Sequence, residues 1–149
     1  MLASNLDKKK FENICIIDTN AKIGSKIKVS GGAKCNITNE LVTASNYLGD
    51  REFVAELLEK FYKNELLAFL NKNGVFPKIN PKIVKGTYFC NSSQDVIDMF
   101  TKLTTHVKKY LNTTVLDIDF DKHFKIKTDS KTIEAKKVVV ASGGLSYAM

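Results

Sequence analysis

The stretch Ser30-Gly31-Gly32-Ala33-Lys34-Cys35-Asn36-Ile37-Thr38-Asn39 constrains this chain more than any other. Two adjacent glycines let a backbone approach a ligand closely and reach conformations closed to residues with a Cβ. Lys34 follows and can face a phosphate, and Asn36, Thr38 and Asn39 donate or accept hydrogen bonds at short range. Just upstream, Ile14-Cys15-Ile16-Ile17-Asp18 reads as a buried strand ending in a carboxylate. The apolar run Asn13 to Ile17 suits a parallel strand covered on both faces. An apolar strand, an acid at its carboxyl end and a Gly-rich loop form the middle of a dinucleotide site. The acid in such folds accepts from an adenosine ribose hydroxyl. A turn or helix-cap role is the plainer reading of Asp18. Position alone leaves the two even, and the glycine stretch favours the ribose.

The run Gly24-Ser25-Lys26-Ile27-Lys28-Val29, continuing through Ser30 to Asn39, resembles the signature of the BaiN-like flavoproteins. These are also known as the aminoacetone oxidase family of NAD(P)/FAD-dependent oxidoreductases. The family pattern is Gly-Arg-Lys, a short apolar run, Ser-Gly-Gly-Gly-Arg-Cys-Asn, one variable residue, then Thr-Asn. Here Ser25 stands for the first Arg, Ala33 for a Gly and Lys34 for the second Arg. Ala141-Ser142-Gly143-Gly144-Leu145-Ser146-Tyr147 resembles a second family motif, in the right order and at the right separation.

The resemblance implies an α/β, partial Rossmann-like FAD-binding domain, with FAD as cofactor and NAD(P)H as a possible electron donor. By that resemblance Lys26 and Lys34 lie toward the phosphates. Ser30, Gly31, Gly32 and Thr38 lie along the cofactor, and Cys35 and Asn36 lie toward the flavin. Backbone near Val115 meets the adenine, and the Ser142-Gly143-Gly144 turn approaches the pyrophosphate. The family's Gly-Arg, apolar residue, Phe-Pro is replaced here by Gly86-Thr87-Tyr88-Phe89-Cys90-Asn91-Ser92, so no substrate contact carries over from it. No residue stands out as a general base or nucleophile. A disulfide reductase needs two thiols close together. No second cysteine lies near Cys35 in sequence, so it reads as a packing or polarity element beside the cofactor.

With 149 residues, 44% of them hydrophobic, the chain can build a core. No apolar run has the length of a membrane span, and no secretory signal is evident. Cys15, Cys35 and Cys90, odd in number and unlike in context, suit a reducing, cytoplasmic setting without a disulfide framework. His106 and His123 are isolated, and no metal-ligand spacing occurs. The formal net charge is +7, but the lysines are scattered and lack interleaved aromatics. They read as a solvated surface rather than a nucleic-acid or membrane footprint. The expected partners are a small-molecule substrate and the remainder of a longer polypeptide.

Residues 1–40 and 136–149 are expected to form the nucleotide-binding core, 41–112 a helical insertion with a hairpin, and 113–135 a β-meander. Met1 to Lys10 reads as the tail of the helix that normally follows a strand and Gly-x-Gly-x-x-Gly. The chain is therefore expected to lack that opening, together with the substrate-covering region and the carboxyl-terminal return. Gly24 to Asn39 reads as a long loop. Phe53, Leu57 and Phe61 form a stripe expected in the core. Asn64 is expected to cap a helix carrying Leu66, Leu67 and Leu70, stopped by Gly74. Val75 to Cys90, with Pro77, Pro81 and Gly86, reads as a short hairpin or an irregular excursion. Ser92 or Ser93 starts a helix with an apolar stripe from Val96 to Val107, leaving His106 in solvent. Alternation predicts half-buried antiparallel strands from Val115 to Thr128, with Asp117 and Asp119 on the solvent face and a turn at Asp121-Lys122-His123. Val138 to Ala141 reads as a buried parallel strand in one sheet with Ile14. Two other functions stay open: a non-enzymatic basic binding module, recognisable by salt-dependent affinity for nucleic acid, and an inactive gene remnant.

Overall fold

The computed structural model describes residues 1–7, 9–32, 34–79 and 85–143. Ala33 and the Gly144–Tyr147 half of the second glycine motif lie outside them. The chain divides into two compact units, Met1–Ile14 with Lys22–Lys108, and Cys15–Ala21 with Lys109–Met149.

In the larger unit, helix α1 (Leu2–Asn5) is only one turn, shorter than the helical tail expected to Lys10. Asp7 ends it. Its side chain accepts from Lys9 N at 2.9 Å, and its carbonyl accepts from Lys10 N and Phe11 N. A short acidic side chain thus offers the backbone a turn in place of helix. Helix α2 (Ser25–Val29) and strand β2 (Asn36–Asn39) occupy most of the expected Gly24–Asn39 loop. Helices α3 (Arg51–Lys60) and α4 (Lys63–Lys72) follow. Strands β3 (Lys78–Ile79) and β4 (Thr87–Phe89) form the expected hairpin, and helix α5 (Ser93–Leu103) follows. The sheet order is β2-β4-β3, antiparallel throughout, with Asn36 opposite Phe89 and a bulge between Asn36 and Thr38.

Local signals explain most of these boundaries. Ser92 Oγ accepts from Gln94 N at 3.0 Å, fixing the start of α5. Gly74, at φ +84°, ends α4 by bonding to Asn71 O, while Val75 N reaches back to Leu70 O. That paired arrangement is a Schellman motif, and it packs Val75 against Leu70. Helix α4 begins one residue before the expected cap. Tyr62 N donates to Glu65 Oε2 at 3.0 Å, and Asn64 lies inside the helix.

Leu70, Val75, Val96 and Met99 are buried together with Cys35 and Cys90, and Ile27, Phe69 and Phe100 pack around them. Phe53, Leu57 and Phe61 do not join this core; they are 59%, 48% and 44% exposed. Helix α3 is started instead by the Asp50 carboxylate, which accepts from Glu52 N and Phe53 N. A cap and a periodic stripe suffice for the helix without burying the stripe.

In the smaller unit, strand β1 (Cys15–Ile17) pairs with β5 (Lys108–Tyr110), which spans the unit boundary. Lys108 N donates to Ile14 O and Asp18 N to Tyr110 O, so the bonds climb both strands in the same direction and the pair is parallel. Strand β1 is shorter than expected and not covered on both faces: Cys15 is exposed, and Ile16 and Ile17 are half-buried. The Val138–Ala141 strand does not form; Val139 and Val140 are 66% and 74% exposed. An apolar run becomes a strand only where another strand offers an edge. Here β1 pairs with the lysine-bearing β5.

The expected meander is present as β6 (Val115–Asp121), β7 (His123–Thr128) and β8 (Thr132–Ala135), in that order. Phe120 lies opposite Phe124, with ring centroids 4.9 Å apart, and Ile118 opposite Ile126. Asp117 and Asp119 face Lys127 and Lys125 across the ladder, so they serve the surface as expected. Burial differs from expectation. Ile126 and Thr128 are buried, but all seven residues of the edge strand β6 are exposed.

Candidate nucleotide-binding site

The glycine stretch is held by α2, β2 and α5. Gly24 opens α2 at φ +78°, and a Cβ there would stand 2.8 Å from Ile97 Cγ1 of α5. After α2, Ser30 turns extended, then Gly31 and Gly32 are both left-handed at φ +58° and +61°. Lys34 N bonds to Gly31 O and Cys35 N to Ser30 O, closing the turn. Cys35 is itself at φ +55°, a conformation uncommon without glycine.

The two glycines do different work. A Cβ on Gly31 would lie 2.1 Å from Asn36 Oδ1 and 3.0 Å from Asn36 N, so Gly31 makes room for the chain's own asparagine. A Cβ on Gly32 would meet nothing within 4 Å among the described residues. Gly32 is thus the place where backbone is open to an incoming group. Lys34 and Asn36 are exposed beside it, and Lys26 is exposed on α2. An open left-handed glycine, a nearby cation and an amide side chain fit the phosphate portion of a nucleotide cofactor.

The other residues of the stretch serve the protein itself. Ser30 and Thr38 are half-buried. Asn39 Nδ2 donates to Lys85 O and Thr87 Oγ1, both at 3.1 Å, and its Oδ1 accepts from Leu41 N. Glu40 N donates to Gly86 O at 2.8 Å, so the ends of this long excursion are clasped together.

Cys35 has a neighbour that sequence separation concealed. Cys90 N donates to Lys34 O at 3.0 Å, and both cysteines are buried in the same cluster, 6% and 4% exposed. Burial pushes the Cys35 thiol up. Burial, then the Cys35 and Asp95 charges, pushes the Cys90 thiol up to about 11. Both are therefore protonated near neutral pH. Cys90 also lines an open cleft of about 400 Å³ with Gly74, Val75, Phe76, Lys78, Asn91 and Asp95. The cue for this pair was the Gly86–Cys90 run, which reads as a strand able to pair with β2.

The remaining candidates belong to the smaller unit. Asp18 Oδ1 accepts from Asn20 N at 2.9 Å and Asn20 Nδ2 at 2.8 Å, the turn use weighed against a ribose contact. Val115 begins β6 beside its bulge. Ser142 is exposed, and Gly143 is left-handed at φ +74° with nothing among the described residues within 4 Å of its Cβ position; Gly144 lies outside the described residues. His106, expected in solvent, has both ring nitrogens buried, without a hydrogen-bond partner among the described residues, because the chain folds back after α5 with Val107 N bonded to Thr104 O. Among the described residues no cluster of three or more His, Cys, Asp or Glu could hold a metal, and no helix is long and apolar enough to cross a membrane.

Residues 1–149 match the family model described as the HI0933-like protein Rossmann domain. The chain is 31% identical over 151 residues to a ribosomal RNA dihydrouridine synthase of Escherichia coli (strain K12), covering 98% of this chain and 37% of that protein. It is 31% identical over 138 residues to a 3-dehydro-bile acid delta(4,6)-reductase of Clostridium scindens, covering 88% of this chain and 32% of that protein. A ribosomal RNA dihydrouridine synthase of Haemophilus influenzae is 28% identical over 150 residues, covering 93% of this chain and 36% of that protein. The chain thus spans between 32% and 37% of the length of these relatives.

Proposed function

This chain belongs to the HI0933-like family of flavin-dependent oxidoreductases, and on that footing we propose that it forms the phosphate-contacting part of an FAD site in a reductase. The observation that carries this reading is Gly32, left-handed, open at its Cβ position and flanked by exposed Lys34 and Asn36. Gly32 lets a diphosphate approach the main chain, Lys34 offsets its charge, and Asn36 donates through its amide. Lys26 adds a second cation on α2. The flavin supplies hydride chemistry once bound, and the protein binds and orients it.

The relatives' names support a reaction class. A dihydrouridine synthase and a delta(4,6)-reductase both turn a carbon–carbon double bond into a single bond. We infer the same class here: hydride delivery to an activated double bond of an organic substrate, with NAD(P)H as the electron source. The three free thiols suit a reducing cytoplasm.

The 149 residues contain no Gly-x-Gly-x-x-Gly, whose helix amides would add donors at the pyrophosphate. The chain by itself should therefore hold FAD weakly, with Kd on the order of 0.1–1 mM. Equilibrium dialysis of the chain against FAD and riboflavin tests the reading. FAD should bind more tightly than riboflavin, and Lys34→Gln should weaken FAD by about 3- to 10-fold while sparing riboflavin. Equal affinity for the two flavins, unchanged by Lys34→Gln, would refute it. Stoichiometric FAD retained through purification would refute the weakness.

A further inference from the structure

We propose that Cys35 and Cys90 form an oxidisable dithiol, closing to an intramolecular disulfide when a small hydroperoxide enters the cleft beside Cys90. This inference goes beyond the flavin reading and does not depend on it. Cys90 N is bonded to Lys34 O, and Asn36 pairs with Phe89, so the two cysteines flank one end of the β2–β4 ladder. Each cysteine is the residue just outside the Asn36–Phe89 pair, and the 3.0 Å bond from Cys90 N to Lys34 O holds the two stretches of main chain side by side; a disulfide needs its Cα atoms roughly 4.4–6.8 Å apart. Both side chains lie in one buried cluster. The Cys35 thiol is also near enough to act on the ionisation of Cys90.

Access comes from the cleft. Lined by Gly74, Lys78, Asn91 and Asp95 beside Cys90, it has room for a molecule the size of hydrogen peroxide. The Cys90 thiolate attacks one peroxide oxygen, the O–O bond breaks, and hydroxide leaves to give a sulfenic acid. The Cys35 sulfur then attacks the sulfenic sulfur and water leaves. In sum, two S–H bonds are lost, one S–S bond forms, the sulfurs give up two electrons, and peroxide becomes two waters. The attacking species is the thiolate, so the elevated Cys90 thiol makes the step slow at neutral pH and faster in alkali. The disulfide would tie the end of the glycine turn to the end of β4, holding the Cys35 backbone in its left-handed conformation.

The experiment treats the intact folded chain with hydrogen peroxide, alkylates it in denaturant, and maps the peptides by mass spectrometry without reductant. The expected product is a monomer lighter by two hydrogens, with Cys35 and Cys90 peptides joined and separated again by dithiothreitol. Its rate should rise about tenfold per pH unit from neutral toward pH 9, following the thiolate fraction. Cys15→Ser should form the product equally well, because Cys15 is exposed and is not a member of the buried cluster. Recovery of both Cys35 and Cys90 fully alkylated, after peroxide has consumed the exposed Cys15, would overturn the proposal. So would a monomer in which Cys15 is joined to either of them. The peptide map uses the unaltered chain, so the outcome does not rest on whether Cys35→Ser or Cys90→Ser folds.

Discussion

Replacing each glycine of the Gly31–Gly32 turn by alanine should separate structure from ligand binding. Both are left-handed, so each alanine costs about 1 kcal/mol of backbone strain. Only at Gly31 does the new methyl also collide with the protein, 2.1 Å from Asn36 Oδ1, 2.9 Å from Asn36 Cγ and 3.0 Å from Asn36 N. Asn36 is exposed and its amide can swing aside, but its backbone nitrogen cannot. That adds about 1–2 kcal/mol, so Gly31→Ala should cost about 2–3 kcal/mol and Gly32→Ala about 1 kcal/mol. Urea unfolding followed by circular dichroism measures both. In an Asn36→Ala background the side-chain part of the collision disappears, and the Gly31→Ala penalty should fall by about 1 kcal/mol. Binding should show the reverse order. Gly32→Ala should weaken FAD by about 10-fold while leaving most of the stability, because its methyl would fill the open space where we propose the diphosphate approaches. Equal stability losses at the two glycines would refute the reasoning, as would a Gly31→Ala penalty indifferent to Asn36.

Leu70, 2% exposed, and Phe53, 59% exposed, offer a contrast between core and surface stripe. Leu70→Ala should cost about 3–4 kcal/mol in urea unfolding. Phe53→Ala should change stability by only about 0.5 kcal/mol, and a loss as large as Leu70's would place α3 in the core after all. Alkali should weaken the fold through Cys90. Its folded-state value is raised from 9.0 to about 11, so the folded state holds that proton longer. The resulting stabilisation is complete below about pH 9 and is lost as pH climbs through about 11. Urea midpoints measured across that window should decline less steeply in Cys90→Ser, and identical slopes would remove Cys90 as the cause.

What could be read in advance was what short segments decide for themselves. Ser92 bonding Gln94, Gly74 ending α4, the turn at Lys122 and the Asp/Lys alternation of β6 and β7 rest on residues a few positions apart. The family, too, was legible from two short motifs, because it is written in glycines whose conformations few other residues can take. What escaped was pairing at a distance. Asn36-Ile37-Thr38-Asn39 looks like loop by composition and becomes a strand only because β4 lies alongside it. The same pairing brings Cys90 to Cys35. Val138–Ala141 fails for the converse reason: it has a strand's composition but no ladder. The stripe of α3 and the buried ring of His106 show that periodicity gives the spacing of side chains, whereas tertiary packing decides which of them are covered.

The meander carries a guard against its own multiplication. Strand β6 lies at the margin of its sheet with Leu116 and Phe120 more than half exposed, a surface that invites a second copy to stack strand on strand. If two such margins met antiparallel about Ile118, Asp117 of each copy would sit opposite Asp119 of the other. Like charges directly across a ladder repel. Neutralising that pair, as in Asp117→Asn with Asp119→Asn, would leave an uncharged margin and turn a tolerated apolar strand into a seed for fibrils.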